Sequence, residues 1–305
     1  MPAAATPPVR TPPRPKTLKP LRSVRVLSLA LNLPGPAALM RCQQMGATCI
    51  KLEPPAGDPM RHYSPPAYAD LHEGVKVITA DLKSDKGQQA LHRQLARADI
   101  LLTSFRPSAL IKLGLTWKAL HKQYAKLSQV AIVGSLGAAA EEPGHDLTYL
   151  AANDLITGLD LPATLYADMG GSLMASEAVL QAVLHQRSHE KGVYLEVALS
   201  SAAGFIALPR QWGLTTASAA VGGGHAGYRI YACKDGRVAL AALEPHFAAS
   251  LCKAAGLTAS DMKSMWKPET HQAIADWLAG KTRRQLDALA LAHDIPLHTL
   301  APDKG

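Results

Sequence analysis

An imidazole and a carboxylate stand at two predicted helix starts, in sequence contexts suited to moving protons on carbon. His145 lies in the segment PGHDL at 143–147, and Asp168 begins the segment DMGGS at 168–172; each leads into an apolar stretch with helical spacing. A histidine can accept a proton near neutral pH, while an ionised aspartate can take one on the other face of a substrate. The Gly-Gly pair after Asp168 would let a substrate approach the backbone, and the N–H groups of 169–172 would hold a developing enolate oxygen. The two motifs therefore predict an acid/base pair beside an oxyanion site.

The same residues also allow a plain structural interpretation. Aspartate is favoured at helix N-caps because its carboxylate accepts a hydrogen bond from an N–H group of the first turn. Spacing alone would assign such capping to Asp146 and Asp168, and a helix-bracing role to His145. The catalytic interpretation needs support from the rest of the chain.

Short motifs follow one another along the chain and provide that support. They are VRVLSL at 24–29, IKLEPP at 50–55, GDP at 57–59, SFRP at 104–107, the two helix-start motifs, and LEP at 243–245. Each is weak by itself, but their co-linear order resembles the family III CoA-transferases and, more closely, the related α-methylacyl-CoA racemases.

This resemblance implies an α/β fold: a Rossmann-like large domain with a parallel sheet, a smaller α+β domain, and protomers that interlock as a homodimer. It implies acid/base roles for His145 and Asp168, and a role for Glu244 in orienting the histidine. The substrate implied is an acyl-CoA, with coenzyme A as part of that substrate, no tightly bound cofactor and no metal. The CoA contacts implied by the resemblance come from Phe105, Arg106, Lys112 and Lys83.

The chain departs from the family pattern at its predicted CoA loops. The segment HEGVK at 72–76 stands where relatives often carry an Asn-Arg-Gly-Lys-like turn, and GAAA at 137–140 replaces a Gly-Phe-Gly-Gln-like loop. The segment 293–305 is shorter than the family's C-terminal return to the large domain. These departures bear on CoA affinity and on substrate closure.

Three functions are consistent with the residues. The first is proton transfer at the α-carbon of a 2-methylacyl-CoA, as in a racemase or epimerase, and His145 favours it because transferases of the family more often carry tyrosine there. The second is CoA transfer between carboxylic acids through covalent intermediates on Asp168, for which the glycine run 222–224 is a modest indication. The third is a non-catalytic member that binds acyl-CoA.

Composition and charge limit the classes of partner that we expect for this protein. The formal net charge is +8, but six cations lie within the first 25 residues, which hold no acid, and the remainder of the chain carries +2. A nucleic-acid surface is therefore disfavoured. No apolar run is long enough to span a bilayer, and four cysteines without metal-ligand spacing are typical of reduced thiols, so we expect no membrane association and a cytoplasmic location.

The pattern of short β-branched runs alternating with helical stretches predicts a doubly wound parallel sheet. We expect strands at 24–30, 47–53, 75–80, 99–103 and 129–134, with helices near 36–46, 84–97 and 108–126. The predicted domains are a disordered basic, proline-rich tail at 1–20, a large CoA-binding domain at 21–188, a small domain with a hairpin and helices at 189–292, and the shortened return segment at 293–305. Ligands of such sheets bind beyond the carboxyl ends of the strands, where the candidate residues fall.

Overall fold

A computed structural model describes residues 18–257 and 263–302 of the chain. Most of the tail expected to be disordered, 1–20, lies outside the described residues. The chain divides into two units, the first ending at Ile206 and the second beginning at Ala207. None of the described helices is long and apolar enough to cross a membrane.

The first unit alternates strands and helices in the predicted manner. Its strands are β1 (Arg25–Ser28), β2 (Thr48–Glu53), β3 (Lys76–Thr79), β4 (Ile100–Thr103), β5 (Ser128–Val133) and β6 (Tyr194–Ala198). Its helices are α1 (Pro34–Gln44), α2 (Met60–Tyr63), α3 (Pro65–Leu71), α4 (Asp85–Leu95), α5 (Pro107–Lys112), α6 (Trp117–Gln123), α7 (Asp146–Ala152), α8 (Tyr166–His189) and α9 (Leu199–Ile206).

The six strands form one parallel sheet in the order β3-β2-β1-β4-β5-β6. Strands β4 and β5 are buried along their whole length, as expected of parallel strands that are covered on both faces. Alternate residues of one strand enter different cores: Val26 packs with α1 and α8, whereas Leu27 packs with α4 and α6. The predicted doubly wound α/β architecture is confirmed.

The predicted helix over 108–126 is interrupted. It forms two helices, α5 and α6, because Gly114 adopts a positive φ of 71° that ends the first of them. Glycine reaches this left-handed conformation without a side-chain clash.

The second unit contains α10 (Leu208–Gln211), β7 (Tyr228–Cys233), β8 (Gly236–Ala241), α11 (Pro245–Ala255), α12 (Pro268–Ala279), α13 (Arg283–His293) and β9 (Leu297–Leu300). Strands β7, β8 and β9 form an antiparallel sheet in that order. The segment 293–305 was expected to return toward the large domain. Its residues Leu297–Leu300 instead form β9 of this antiparallel sheet.

The structural boundary lies later than the expected 188. Strand β6 pairs with β5 along five residues of each strand, which makes it the edge of the six-stranded sheet, and α9 packs with α8 in the first unit's core. The alternation of single strands and helices along the sequence gives way to a hairpin at β7 and β8. Sheet pairing nevertheless assigns β6, and packing assigns α9, to the first unit.

Candidate active site

A cleft of about 510 Å³ opens at the carboxyl ends of β1, β4 and β5. Ligands of open parallel sheets bind at this edge. Both motif residues, His145 and Asp168, line the cleft. The other lining residues come from the segments 31–34, 104–106, 132–134 and 140–149, together with Tyr63 in α2, Leu165 before α8 and Leu199 in α9.

The two helix-start motifs are joined by a hydrogen bond. Asp146 is the first residue of α7 and is buried, and its Oδ1 accepts the backbone N–H of Asp168 at 2.9 Å. Asp168 is the third residue of α8, so this N–H lies in the first helical turn and has no intrahelical partner. Asp146 therefore performs the capping predicted of aspartate, but for α8, a helix that begins 20 positions later in the sequence.

The side chain of Asp168 is left available to the cleft. Its carboxylate oxygens have no hydrogen-bond partner among the described residues. The pKa of Asp168 is raised to about 6, chiefly by burial and also by the negative charge of Asp146, while a positive charge on His145 opposes both. A carboxyl group that titrates near pH 6 can hold or release a proton under physiological conditions.

His145 precedes α7 in an extended conformation and is exposed. Its backbone is fixed by Thr148, whose Oγ1 accepts the His145 N–H at 3.0 Å and lies 2.8 Å from the His145 carbonyl oxygen. The imidazole is therefore carried at the mouth of the cleft on a held backbone.

Tyr149 packs beneath this backbone. Its ring and hydroxyl lie against Gly144 and Gly134, and a Cβ atom at Gly144 would stand 2.6 Å from both Cε1 and Oη of Tyr149. Only glycine leaves room there for the buried phenol. Burial and the charge of Asp168 raise the pKa of Tyr149, and the Arg106 charge opposes them.

The glycine pair after Asp168 does not lie open to a substrate, and that prediction is wrong. A Cβ at Gly170 would stand 2.9 Å from Cδ1 of Ile206, and a Cβ at Gly171 would overlap the side chain of Leu199. Both glycines face α9, so their role is to let two helices pack closely.

The predicted oxyanion site at 169–172 is wrong for a related reason. The helix begins at Tyr166, three residues before Met169, and the Met169 N–H donates to the carbonyl of Leu165 at 3.0 Å. The N–H groups of 169–172 therefore belong to the intrahelical ladder. The first-turn N–H groups outside that ladder lie at 166–168, and Asp146 already accepts the one at 168.

The side chains expected to contact CoA separate into two pairs. Phe105 and Arg106 follow β4 and line the cleft. Lys112, in the last turn of α5, and Lys83, in the loop after β3, are exposed and are not part of its lining. The nearby Glu141 accepts hydrogen bonds from the N–H and Oγ of Ser108 at the start of α5, at 2.6 and 2.8 Å.

Glu244 immediately precedes α11 in the second unit. Its expected interaction with His145, a residue of the first unit, stays a prediction.

The loop after β1 lacks the Gly-rich fingerprint of dinucleotide-binding folds, since Gly35 stands between two prolines. In dinucleotide-binding folds the N–H groups at the start of the first helix bind pyrophosphate. Here Pro34 and Pro36 occupy the first and third positions of α1 and have no N–H to donate. A Cβ at Gly35, between them, would overlap Ala30, so this turn is closely packed against the preceding loop.

Sequence reasoning missed a buried charged cluster next to the cleft, formed by Lys51, Glu53, Asp58 and His72, with the exposed Arg61 at its edge. Lys51 is fully buried; its Nζ contacts Asp58 and lies 3.2 Å from Glu53 Oε1 and 2.9 Å from His72 Nε2. Glu53, Asp58 and His72 hold ligand atoms within 4.8 Å of one another, a spacing that could hold a metal ion. The Lys51 ammonium already provides the positive charge at this point. The signal that could have revealed the cluster is the alternation of Lys51 and Glu53 in a strand predicted to be buried.

Comparison with known proteins assigns the chain to the same family that the sequence motifs resemble. Residues 21–303 match the profile of CoA-transferase family III. The chain is 38% identical over 148 residues to cinnamoyl-CoA:phenyllactate CoA-transferase of Clostridium sporogenes, an alignment that covers 44% of this chain and 36% of that protein. It is 28% identical over 287 residues to alpha-methylacyl-CoA racemase of Mus musculus, covering 87% of this chain and 73% of the racemase.

Solved structures confirm the fold. The crystal structure of a hypothetical protein (Rv3272) from Mycobacterium tuberculosis superimposes with a TM-score of 0.79 at 22% identity, covering 94% of this chain and 93% of the other. At this identity the likeness concerns the fold alone.

Proposed function

The chain belongs to CoA-transferase family III, and on that premise we propose that it is an acyl-CoA racemase or epimerase that moves a proton at the α-carbon of a 2-methylacyl-CoA thioester. The observation that carries the proposal is the placement of His145 and Asp168 in one cleft, with the Asp168 carboxyl free of hydrogen-bond partners among the described residues. Burial is the main cause that raises the pKa of this carboxyl to about 6, which suits proton transfer in both directions near neutrality.

The proposed reaction uses the two groups in turn. The Asp168 carboxylate removes the α-proton, the electron pair of the C–H bond moves into the thioester enolate, and the His145 imidazolium returns a proton to the opposite face. Configuration at the α-carbon is then inverted, Asp168 is protonated and His145 is neutral; exchange with solvent restores the starting state. In the reverse direction the roles of the two residues are exchanged.

CoA transfer is the second candidate, and the 38% identity with a CoA-transferase over 148 residues favours it. In that reaction the Asp168 carboxylate attacks the thioester carbonyl, CoA leaves as a thiolate, and a mixed anhydride forms. The thiolate then attacks the aspartyl carbonyl, giving an aspartyl-CoA thioester and releasing the first carboxylate. The second carboxylate displaces CoA from this thioester to form a new anhydride, and the thiolate attacks its acyl carbon, giving the new acyl-CoA and the free Asp168 carboxylate. This mechanism needs Asp168 and not His145.

The remaining roles belong to the same proposal. Phe105 and Arg106 would contact CoA at the cleft, with Lys83 and Lys112 as more distant cations for its phosphates. Glu244 would orient His145, the role that the family resemblance implies. We further propose a homodimer, a cytoplasmic location, and coenzyme A present only as part of the substrate, with no tightly bound cofactor.

The deciding experiment incubates the protein with a 2-methylacyl-CoA in deuterium oxide and follows loss of the α-proton by NMR. Exchange that needs both His145 and Asp168, and no added acid, supports the racemase. Transfer of CoA to an added carboxylate, abolished in Asp168→Ala and retained in His145→Ala, would establish the transferase. Binding of acyl-CoA with neither reaction would identify a non-catalytic member.

A further inference from the structure

A buried carboxylate sets the conformation of the loop between β1 and α1, which forms one wall of the cleft. Asn32 in this loop has a positive φ of 63°. Its backbone N–H lies 3.2 and 3.1 Å from Oδ1 and Oδ2 of Asp58, a fully buried residue. The left-handed conformation is uncommon for a residue with a side chain, although asparagine tolerates it better than most. The bond to Asp58 therefore stabilises an otherwise uncommon backbone conformation at the cleft.

The buried charged cluster places opposite charge around the buried Asp58 side chain. A buried carboxylate is costly unless an opposite charge and hydrogen bonds compensate it. Lys51 contacts Asp58 and Glu53, and Arg61 lies 3.4 Å from the second oxygen of Glu53, so two cations face two carboxylates. His72 completes the arrangement: its Nδ1–H donates to the carbonyl oxygen of Tyr68 at 2.6 Å, which leaves Nε2 to accept from Lys51.

The hydrogen bond between Asp58 and the Asn32 backbone connects this cluster to the lining of the cleft. The Asn32 side chain is exposed at the cleft, between the apolar Leu31 and Leu33, and has no hydrogen-bond partner among the described residues. A carboxamide offers donor N–H groups and an acceptor oxygen. It is therefore a polar group on a fixed backbone, and its hydrogen-bonding capacity is unused among the described residues.

We propose that Asn32 is a substrate-positioning residue whose carboxamide hydrogen-bonds an amide of the pantetheine arm of coenzyme A, and that the buried Lys51 and Asp58 fix it for this role. The inference rests on the proposed acyl-CoA function. A carboxamide and a secondary amide each present N–H and C=O groups, so the two are complementary. Because the pantetheine arm is common to all CoA esters, the contact would serve binding of any acyl-CoA.

Calorimetric titration with free CoA tests the assignment, using Asn32→Gly. Glycine retains the left-handed backbone without strain and removes only the carboxamide. We expect an unchanged thermal midpoint and a Kd for free CoA raised about three- to tenfold, the effect of one lost hydrogen bond. The matched control is Glu190→Gly, another residue of positive φ, 54°, which is not part of the cleft lining and should leave the Kd unchanged.

The role of Asp58 is tested with Asp58→Asn, alone and combined with Asn32→Gly. If Asp58 acts through Asn32, Asp58→Asn raises the Kd for CoA, and the double variant binds no more weakly than the weaker of the two single variants. A purely structural Asp58 would lower the thermal midpoint and leave the Kd unchanged, and that result would overturn its positioning role.

The outcomes also separate this inference from the proposed function. If the wild-type protein and Asn32→Gly bind free CoA equally tightly, the pantetheine contact is refuted. This holds even if the variant binds an acyl-CoA more weakly, because that pattern would assign Asn32 to the acyl group. If the wild-type protein binds neither CoA nor acyl-CoA, the proposed function itself fails, and this inference fails with it.

Discussion

Oδ1 of Asp146 accepts the backbone N–H of Asp168 at 2.9 Å. This bond connects the first turns of α7 and α8 and thereby joins the two motifs that carry the proposed acid and base. Asp146 also raises the pKa of the Asp168 carboxyl through its negative charge. One buried side chain therefore fixes the backbone of Asp168 and adds to the effect of burial on the pKa of its carboxyl.

Replacing Asp146 with alanine removes the cap of α8. We expect Asp146→Ala to lower the free energy of unfolding by about 1 kcal/mol, as for the loss of other helix caps, and to displace Asp168. Urea unfolding followed by circular dichroism measures the loss. Asp146→Asn is the control, because its amide oxygen can still accept the Asp168 N–H; equal losses in both variants would contradict the capping role.

The same Asp146→Asn variant should change the pH dependence of α-proton exchange. Removing the charge of Asp146 lowers the pKa of Asp168, so more of the carboxylate is ionised at a given acidic pH. We expect the acidic limb of the rate profile, near pH 6 in the wild-type protein, to move to lower pH. An NMR exchange series in which the limb stays in place or moves upward would refute the electrostatic link.

Asp168 should destabilise the protein when it is ionised. Its pKa of about 6 in the folded protein exceeds the value of about 3.9 for an unperturbed aspartate, so the stabilising contribution is complete below about pH 4 and is lost as the pH rises through about 6. We therefore expect Asp168→Asn to raise the thermal midpoint relative to wild type at pH 8, with the difference disappearing toward pH 4.

Asp160→Asn, at an exposed position, is the control for this comparison. It should show no such pH-dependent difference. A difference for Asp168→Asn that is constant with pH would contradict the raised pKa.

The fit of Tyr149 against two glycines predicts a selective rescue. A Cβ at Gly134 would collide chiefly with the Tyr149 hydroxyl, the ring carbon Cζ being 3.3 Å away, whereas a Cβ at Gly144 would stand 2.6 Å from Cε1 and 2.8 Å from Cζ. Each glycine-to-alanine change should cost about 1–3 kcal/mol through overpacking. Adding Tyr149→Phe should restore much of the loss for Gly134→Ala and little for Gly144→Ala.

Unfolding midpoints of the four variants and of Tyr149→Phe alone measure this rescue. Equal rescue at both glycines would show that the hydroxyl is not the point of collision at Gly134. Gly144→Ala should also reduce α-proton exchange, because Gly144 precedes His145 in the chain.

Lys51 should be the most sensitive member of the buried charged cluster. Lys51→Met leaves the carboxylates of Glu53 and Asp58 without their buried cation, and breaking such an arrangement typically costs about 3–5 kcal/mol. Arg61→Met should cost less, because half of the Arg61 side chain is exposed and solvent screens its charge. Urea unfolding compares the two, and a greater loss in Arg61→Met would contradict this ranking.

Much of the fold follows from local patterning. Five predicted strands match β1 to β5 closely because parallel strands buried on both faces are rich in apolar residues and are separated by helices with a different period. Local patterning did not predict the helix end at Gly114. An isolated glycine is tolerated inside a helix, and only the positive φ of Gly114 shows that it ends α5.

The candidate site was predictable in its residue types and less so in their roles. His145 and Asp168 lie in one cleft as the motifs suggested. The helix start was misplaced, because α8 begins before Asp168 and not after it, and the glycine pair was assigned to substrate when it packs against α9. Those errors share a cause, since a Gly-Gly sequence is the same whether the space beside it holds a ligand or another helix.

By itself, then, the sequence determined the alternation of strands and helices and the family resemblance, and it singled out His145 and Asp168 as the proposed acid/base pair, because these depend on residue type and on spacing along the chain. The tertiary structure decided which groups meet across long sequence separations: Asp146 with Asp168, Tyr149 with Gly134, and Asp58 with Asn32. Hydrogen bonds and burial are properties of such pairs in space. The raised pKa of Asp168 and the hydrogen bond that fixes the Asn32 backbone therefore exist only once the chain has folded.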